Sequence, residues 1–401
     1  MSDNSRKDKR QMKFGSLPRV VIAGGGPAGS SLAIRLANKG LPVTLIEREE
    51  FPREKLCGEF ISPECLLHFG SLGVLDDIRS VGGTLTTETR FFSSSGRNIA
   101  VPSRWFGGPA LGLSRAAMDL ILLDRARSAG ANVFERHSAT GVTLENGRVI
   151  GLSVRSSNEP PTEVAGDIFI DATGRSRVLS KLLERLTERK NSPRSKKKPL
   201  VAFKNHYEGA SVSTDTCEIF SFPGGYGGLN SVEDGFANLC FLVKPDIVKA
   251  CGSDPDQIVA ASVFHNKRAR QCLSGAVPSK TWLAASIRGF GIESGGQIPN
   301  VFAAGDAAGF IDPFTGSGIL MALETSGVLS EAIVAHGLNF DELRKSYGQQ
   351  YRRRFSSRMR AAAFIRRASL VPGLATVLIE VLSLSSAFPQ ILARRTRSPM
   401  P

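Results

Sequence analysis

The sequence Val20-Val21-Ile22-Ala23-Gly24-Gly25-Gly26-Pro27-Ala28-Gly29-Ser30 places an apolar strand, a glycine turn and the start of a helix in immediate succession. In such a turn Gly24 lets the chain reverse sharply, Gly26 lets backbone amides approach phosphates, and Gly29 lets the helix pack closely on the strand. The positive end of the helix then favours an anion. The stretch therefore predicts a binding site for the pyrophosphate of a dinucleotide.

A carboxylate follows at the distance that ribose recognition needs. Glu47 closes the apolar run 43–46, about 20 residues after the glycines, where it can accept hydrogen bonds from ribose hydroxyls. Arg48 beside it is a further candidate cofactor residue. An ordinary glycine-rich turn is the alternative, because the glycine pattern alone is a weak signal. The strand before it and the acid after it favour a bound nucleotide.

Two later motifs each follow a predicted strand. Asp171-Ala172-Thr173-Gly174 comes after the apolar segment 164–170. The second strand ends at Gly305, and Asp306 stands where a short carboxylate can bind a sugar or ribityl hydroxyl. A helix is predicted to begin at Gly318, and its positive end favours negative charge on whatever ring lies against it.

Composition bounds the class of protein. The chain has 401 residues with 41% hydrophobic composition, enough for a large core in two or three domains. Six cysteines and five histidines are scattered without metal-like spacing, so we expect a reducing compartment, no disulfide scaffold and no metal. Residues 1–18 lack the apolar core of a signal peptide. We therefore expect a cytoplasmic protein.

The net charge of +14 is concentrated in three segments. These carry +21 together and leave −7 elsewhere; they are residues 1–19, 185–198 and 344–401. Local excess charge favours peripheral contact with an anionic surface such as the inner face of the membrane, although solvated helix faces explain it equally well. Few aromatic residues interleave with the basic ones, so we expect no specific nucleic-acid partner.

Taken together, the motifs resemble the flavoprotein superfamily that includes p-hydroxybenzoate hydroxylase, the flavin-dependent halogenases and geranylgeranyl reductase. The matching positions are Gly24, Gly26, Gly29, Glu47, Asp171, Gly174, Gly305, Asp306, Pro313, Gly316 and Gly318. Arg115, which opens a predicted helix, matches the family arginine that lies beside the flavin. The resemblance implies non-covalent FAD. Since one nucleotide fold is visible, it also implies NAD(P)H as a reductant that docks transiently.

The resemblance also implies the organisation of the chain. We expect an α/β (α+β overall) protein with a three-layer Rossmann-like FAD-binding domain, an inserted antiparallel β-sheet domain for the substrate and a C-terminal helical segment. The predicted boundaries are 1–18 for a basic tail, 19–82, 108–199 and 290–340 for the FAD-binding domain, 83–107 and 200–289 for the sheet domain, and 341–401 for the basic and apolar C-terminal helices.

Two further stretches are similar to the geranylgeranyl reductase branch. Lys55-x-Cys57-Gly58-Glu59 resembles its K-x-C-G-G motif, and Pro223–Gly228 resembles a glycine-rich motif that lines its substrate cavity, although the tryptophan and Phe-Pro that follow there are absent here. Cys57 and Tyr226 are therefore the candidate catalytic residues, with a small buried hydrophobe and a turn aromatic as the alternatives. Glu59 and Asp312 are weaker candidates, expected as exposed loop carboxylates.

The expected activity is that of an FAD-dependent oxidoreductase acting on a hydrophobic small molecule. Hydroxylation of an aromatic or polyketide-like compound is favoured, because monooxygenases dominate the superfamily and the isoprenoid-cavity motif is incomplete. The alternative is reduction of C=C bonds in an isoprenoid or other lipid. The halogenase motif W-x-W-x-I-P is absent. A nucleic-acid-binding flavoprotein and a non-catalytic carrier of a lipidated partner are the remaining alternatives.

Overall fold

A computed structural model describes residues 17–157, 159–187, 199–287, 291–292, 298–312 and 316–369. Pro313, nearly all of the predicted basic tail, most of the basic segment 185–198 and the chain after 369 lie outside this part. The strands are β1 Val20–Ala23, β2 Val43–Ile46, β3 Phe60–Ile61, β4 Thr84–Thr86, β5 Glu88–Phe92, β6 Asn98–Pro102, β7 Ala110–Gly112, β8 Asn132–Phe134, β9 Ser138–Glu145, β10 Arg148–Arg155, β11 Thr162–Ala165, β12 Ile168–Asp171, β13 Leu200–Glu208, β14 Thr216–Phe222, β15 Gly225–Ser231, β16 Ala237–Val243, β17 Val277–Pro278, β18 Leu283–Ile287, β19 Gly291–Ile292, β20 Val301–Ala303 and β21 Gly309–Phe310. The helices are α1 Pro27–Ala37, α2 Pro63–Leu72, α3 Leu75–Ser80, α4 Arg115–Ser128, α5 Val178–Leu186, α6 Pro245–Ala250, α7 Pro255–Ala261, α8 Lys267–Leu273, α9 Gly318–His336 and α10 Phe340–Ser369.

A parallel sheet in the order β20-β12-β1-β2-β8 forms the centre of the first domain. Its middle strand, β1, is apolar throughout because both faces are covered. One face packs on α1, α4 and α9, and the other packs on the antiparallel sheet of β9, β10 and β11 with α5. The predicted three-layer Rossmann-like arrangement is therefore confirmed.

A second, larger sheet has the order β17-β13-β16-β15-β14-β5-β6, with β18 also paired to β13. It was expected to be antiparallel, but β14 pairs with β5 in parallel. These two strands come from separate excursions of the chain, so no hairpin fixes their relative direction. β4, which the boundary at 83 assigns to this domain, pairs instead with β7 in a small sheet that also contains β3.

The single helix expected near 257–271 is divided. Ser262 lies between α7 and a short 3-10 turn, and Asn266 lies between that turn and α8. The Asn266 side chain caps α8 by accepting hydrogen bonds from the amides of Arg268 and Ala269 at 3.0 and 3.1 Å. An asparagine at this position satisfies the free amides of the first turn, so a new helix starts there.

The last two described helices close the core. α9 begins at Gly318 as predicted, and by length and composition it is the one described helix that is apolar enough to cross a membrane. However, 72% of its apolar window is buried inside the protein, as expected for a core helix. α10 begins within one residue of the predicted boundary at 341 and buries Tyr347, Tyr351 and Phe355 on the core.

Candidate active site

A cavity of about 660 Å³ lies between the parallel sheet and the larger sheet. Most of the residues singled out from the sequence line it, namely Gly24, Gly26, Glu47, Arg48, Cys57, Arg115, Gly174, Tyr226, Gly305, Asp306, Gly316 and Gly318. Gly29 and Asp171 do not line it, and Pro313 lies outside the described residues. The fold therefore brings segments from the whole length of the chain to one cavity.

The three glycines of the first motif have different surroundings. Gly24 has a φ of +105°, and a Cβ there would lie 2.4 Å from the carbonyl oxygen of Ala172. A Cβ on Gly29 would lie 1.8 Å from the carbonyl oxygen of Gly24. A Cβ on Gly26 would meet nothing closer than Arg115 at 3.8 Å and would project into the cavity. Packing thus requires glycine at positions 24 and 29, whereas the missing side chain of Gly26 leaves free space in the cavity beside the start of α1.

Glu47 is held in a fixed orientation at the end of β2. Its Oε2 accepts a hydrogen bond from the amide of Gly25 at 2.7 Å, and its Oε1 accepts one from the amide of Glu49 at 2.9 Å. A carboxylate can accept further hydrogen bonds, so the cavity side of Glu47 can still receive ribose hydroxyls. Arg48 is more exposed and pairs with Glu49 at 3.0 Å.

Four cations line the cavity around the free space beside Gly26, namely Arg48, Arg53, Lys55 and Arg115. Of these, only Arg48 and Arg115 were predicted from the sequence as cofactor-binding residues. Arg53 and Arg115 both pair with the fully buried Asp119, at 2.9 and 2.7 Å. Burial would lower the pKa of Arg115, but Asp119 and Cys57 outweigh it and raise that pKa. The pKa of Lys55 is lowered to about 8, mainly by burial and further by the positive charges of Arg53, Arg115 and Arg48. Four cations face three carboxylates here, Glu47, Glu49 and Asp119, which leaves a small net positive charge suited to a pyrophosphate.

Asp171 supports the cavity wall from behind. Its carboxylate accepts hydrogen bonds from the amide and hydroxyl of Thr173 at 3.1 and 2.6 Å, and from those of Ser180 at 3.0 and 3.1 Å. With four donors its oxygens are satisfied within its own segment. The sequence placed Asp171 at the cofactor; the structure instead uses it to fix the turn that presents Thr173, Gly174 and Arg175 to the cavity.

Asp306 and the start of α9 line the same cavity. Burial raises the pKa of Asp306 to about 6, although the positive charges of Arg175, Arg115 and Lys55 oppose the rise. Gly316 and Gly318 line the cavity just where the first amides of α9 are unpaired. This end of the cavity therefore offers an acceptor for a hydroxyl and a positive helix end for an anionic ring.

The two candidate catalytic residues open onto the same cavity. Tyr226 is 2% exposed and donates a hydrogen bond from its hydroxyl to Asp312 Oδ1 at 2.5 Å. Cys57 is half-buried and lies close enough to Arg115 to affect its pKa. Asp312 and Glu59 are both buried, so the expectation that they are exposed loop carboxylates is wrong. Each is buried because it has a partner far away in sequence.

Glu59 is the centre of a buried charged cluster. Its carboxylate accepts hydrogen bonds from Lys204 Nζ at 2.5 Å, His206 Nε2 at 2.6 Å and the amide of Arg115 at 2.9 Å. Glu54 also pairs with Lys204, at 2.8 Å. Ligand atoms of Glu54, Glu59 and His206 lie within 4.8 Å of one another, a spacing that suits a metal, but the ammonium of Lys204 occupies the position of the cation.

The larger sheet contributes an apolar part of the cavity wall. Aromatic and aliphatic side chains from the larger sheet and the segments next to it line this arm, which we call the apolar arm: Phe91, Ile99, Val101, Phe106, Ile219 and Leu242. An apolar wall with a few convergent polar groups is typical of a pocket for a hydrophobic small molecule.

The fold and the site define an FAD-dependent oxidoreductase. The place beside Gly26, the cation group, Glu47, Asp306 and the start of α9 together fit a dinucleotide with a ring that takes up negative charge. The model of the FAD binding domain family matches residues 18–362, so the chain belongs to that family. This confirms the resemblance stated from the sequence motifs.

Relatives from two reductase activities cover most of the chain. Digeranylgeranylglycerophospholipid reductase of Methanosarcina acetivorans is 26% identical over 352 residues, which are 83% of this chain and 80% of that protein. Menaquinone reductase of Mycolicibacterium smegmatis is 26% identical over 351 residues, 80% of this chain and 77% of that protein. Among solved structures, a flavin-dependent brominase superposes with a TM-score of 0.81 at 20% identity, covering 95% of this chain and 93% of its own. The last likeness shows the fold alone.

Proposed function

We propose that the protein reduces carbon–carbon double bonds of an extended apolar substrate, with FAD as its redox cofactor. The observation that carries the proposal is that two proton-bearing groups, Cys57 and Tyr226, line one cavity with both the cofactor-binding residues and the apolar arm. Bound FAD, once reduced, would supply a hydride, and saturation of an alkene also needs a proton that the protein must provide. The reductase names of the two relatives support this choice over the hydroxylation favoured from the sequence alone.

Each residue has a role in this proposal. The Tyr226 hydroxyl donates to Asp312 Oδ1 at 2.5 Å in the resting site, and it turns this proton to the carbon that does not receive the hydride. The phenolate that remains regains a proton from water after the product leaves. Cys57, beside Arg115, is the second candidate donor. The apolar arm binds the hydrocarbon chain and excludes water from the reacting carbons. The positive end of α9 stabilises negative charge on the reduced cofactor.

We propose NAD(P)H as the reductant, docking transiently. The described residues form one five-stranded parallel sheet, and we assign FAD to the glycine turn that follows its strand β1. A second nucleotide coenzyme would therefore approach from the surface of the protein and leave after reducing the cofactor.

Hydroxylation of a phenolic lipid is the second candidate, and the Tyr226–Asp312 pair is the observation that favours it. A tyrosine whose hydroxyl is bonded to a buried carboxylate can also receive a proton from a phenol, which activates the aromatic ring. Oxygen would then be the second substrate. The pair would serve as a base in this reaction and as an acid in the reduction.

Anaerobic stopped-flow measurements test the proposal. Holoenzyme reduced with dithionite is mixed with a geranylgeranyl lipid that carries no quinone, and reoxidation of the flavin is followed by its visible absorbance. Tyr226→Phe should slow reoxidation by about 10²–10⁴-fold, the usual contribution of a positioned acid. Tyr207→Phe is the matched control, because Tyr207 is also buried but does not line the cavity. A flavin that the lipid does not reoxidise, and that is reoxidised only after oxygen is admitted, would contradict the proposal.

A further inference from the structure

The cluster around Glu59 joins the Cys57 loop to the larger sheet at the cavity. Glu59 lies two residues after Cys57, whereas Lys204 and His206 are on β13 of the larger sheet. Its backbone carbonyl also accepts hydrogen bonds from Asn230 of β15 at 3.3 Å and from the amide of Leu113 at 3.2 Å. One residue therefore connects the Cys57 loop to two strands of the larger sheet and to the segment that enters α4.

The backbone at Glu59 indicates that its side chain has a specific use. Its φ is +54°, in the left-handed region that a glycine adopts without strain and a glutamate does not. The side chain is also fully buried, which is costly for a carboxylate unless it is paired. A residue that carries both costs must have strong partners in the folded protein.

Lys204 is the main partner. Burial would lower the pKa of Lys204, but Glu59 and Glu54 outweigh burial and raise that pKa. Burial likewise opposes the ionisation of Glu54, and Lys204 nevertheless holds the pKa of that carboxyl below its ordinary value. The ammonium thus stays charged and fixes both carboxylates, so the loop from Glu54 to Glu59 is anchored at its two ends.

The anchored loop carries the reactive part of the site. Cys57 lies between the two carboxylates in sequence, its carbonyl accepts a hydrogen bond from Asn238 at 3.1 Å, and its sulfur accepts one from the amide of Glu59 at 3.4 Å. The Glu59 carboxylate also accepts a hydrogen bond from the amide of Arg115 at the first turn of α4, where negative charge is favourable. Both Cys57 and Arg115 are therefore positioned through Glu59.

We propose that Glu59 and Lys204 are positioning residues that hold Cys57 and Arg115 against the bound cofactor, with the Lys204 ammonium in the place that a structural metal ion would take. Lys204 itself does not line the cavity. This inference is independent of whether the enzyme reduces or hydroxylates its substrate.

Thiol reactivity and the flavin spectrum test this role without a substrate. In FAD-loaded protein, the alkylation rate of Cys57 by iodoacetamide is measured by peptide mass spectrometry, together with the visible spectrum and the reduction potential of the flavin. Lys204→Ala and Glu59→Gln should speed alkylation on the order of tenfold by freeing the loop, and both should shift the flavin spectrum and potential. Lys204→Arg, which keeps the cation, should remain near the wild type.

Lys280→Ala is the matched control. Lys280 is an exposed cation whose charge also acts on Glu54, but it has no bond to Glu59. It should leave all three readouts unchanged. A folded Lys204→Ala protein with wild-type Cys57 alkylation, spectrum and potential would overturn the proposal, even if its stability were lower. If Lys204→Ala does not fold, the isosteric Glu59→Gln variant is measured with the same three readouts, and wild-type values in all of them would overturn the proposal.

Discussion

At the scale of single residues, two glycines of the same turn are needed for different reasons, Gly29 for the fold and Gly26 for binding of the cofactor. Gly29 touches the backbone of Gly24, whereas Gly26 faces the cavity with an ordinary φ of −71°. Gly26→Leu should therefore fold normally but contain no FAD after purification. Gly29→Ala should destabilise the fold itself by about 1–3 kcal/mol or more, because a methyl group cannot fit.

Flavin content per protein and a thermal unfolding curve of each apoprotein distinguish the two outcomes. Gly25→Ala is not a neutral control, since its Cβ would contact Glu47 at 3.2 Å. Gly348→Ala serves better for the unfolding curve, because Gly348 lies within α10 and its Cβ would meet nothing closer than Arg352 at 3.9 Å. A Gly26→Leu protein with stoichiometric FAD would show that the pyrophosphate does not pass this residue.

We expect ionised Asp306 to destabilise the apoprotein and to strengthen the binding of FAD. Burial raises its folded pKa to about 6, so its contribution to stability is fully present below about pH 4 and is lost as the pH rises through 6. Asp306→Asn removes this loss and should stabilise the apoprotein at pH 7.5 by about 1–2 kcal/mol, a value reduced for the partial exposure of the side chain. FAD should bind the variant more weakly.

Urea unfolding of both apoproteins at pH 4.5 and 7.5, with an FAD titration at pH 7.5, checks this prediction. The advantage of Asp306→Asn should shrink at the lower pH. An equal advantage at both values would mean that ionisation of Asp306 is not its source.

At the scale of elements, the stability of α4 depends on one buried carboxylate. Asp119 pairs with Arg53 of the preceding loop and with Arg115 of its own helix. Asp119→Ala would leave two cations without their charge partner and should lower the free energy of unfolding by roughly 3–5 kcal/mol. Asp124→Ala, on the exposed side of α4 and paired with Arg127, should cost less than about 1 kcal/mol.

Chemical denaturation of the two variants makes the comparison. Since Arg53 and Arg115 also face the cofactor side, Asp119→Ala should weaken FAD binding as well. Equal losses of stability in the two variants would contradict the account of α4.

The same elements show what the sequence could and could not predict. The glycine turn, Glu47 and the start of α4 after Ser114 were predictable because strand, turn and cap follow one another locally. The burial of Glu59 was not, because its partner Lys204 lies 145 residues away. Arg53 was equally hidden, although a basic residue so soon after Glu47 was a signal that the pyrophosphate side would be positive.

At the scale of the whole molecule, the excess charge of α10 predicts contact with anionic membranes. Arg352, Arg353 and Arg360 are exposed, while the opposite face of the helix is buried in the core. Reversing all three to glutamate should weaken binding to phosphatidylglycerol vesicles by more than about 10²-fold at low salt, at ~1 kcal/mol for each charge. Deleting residues from 344 onward is not a suitable test, since Tyr347, Tyr351 and Phe355 belong to the core.

Vesicle co-sedimentation at two salt concentrations measures this effect. Reversal of Lys39, Arg79 and Lys249, exposed cations in other parts of the described structure, is the matched control and should have a smaller effect. Binding that persists at high salt, or that responds equally to the two triple variants, would contradict a membrane surface on α10.

The mass of the product tests the central claim most directly. The reduced enzyme is incubated with a geranylgeranyl lipid that carries no quinone under oxygen-18 gas, and the lipid is analysed by mass spectrometry. If the protein is an alkene reductase, the product is heavier than the substrate by two hydrogen atoms for each reduced double bond and contains no oxygen-18. A product that contains one oxygen-18 atom would contradict it and would make the protein a monooxygenase.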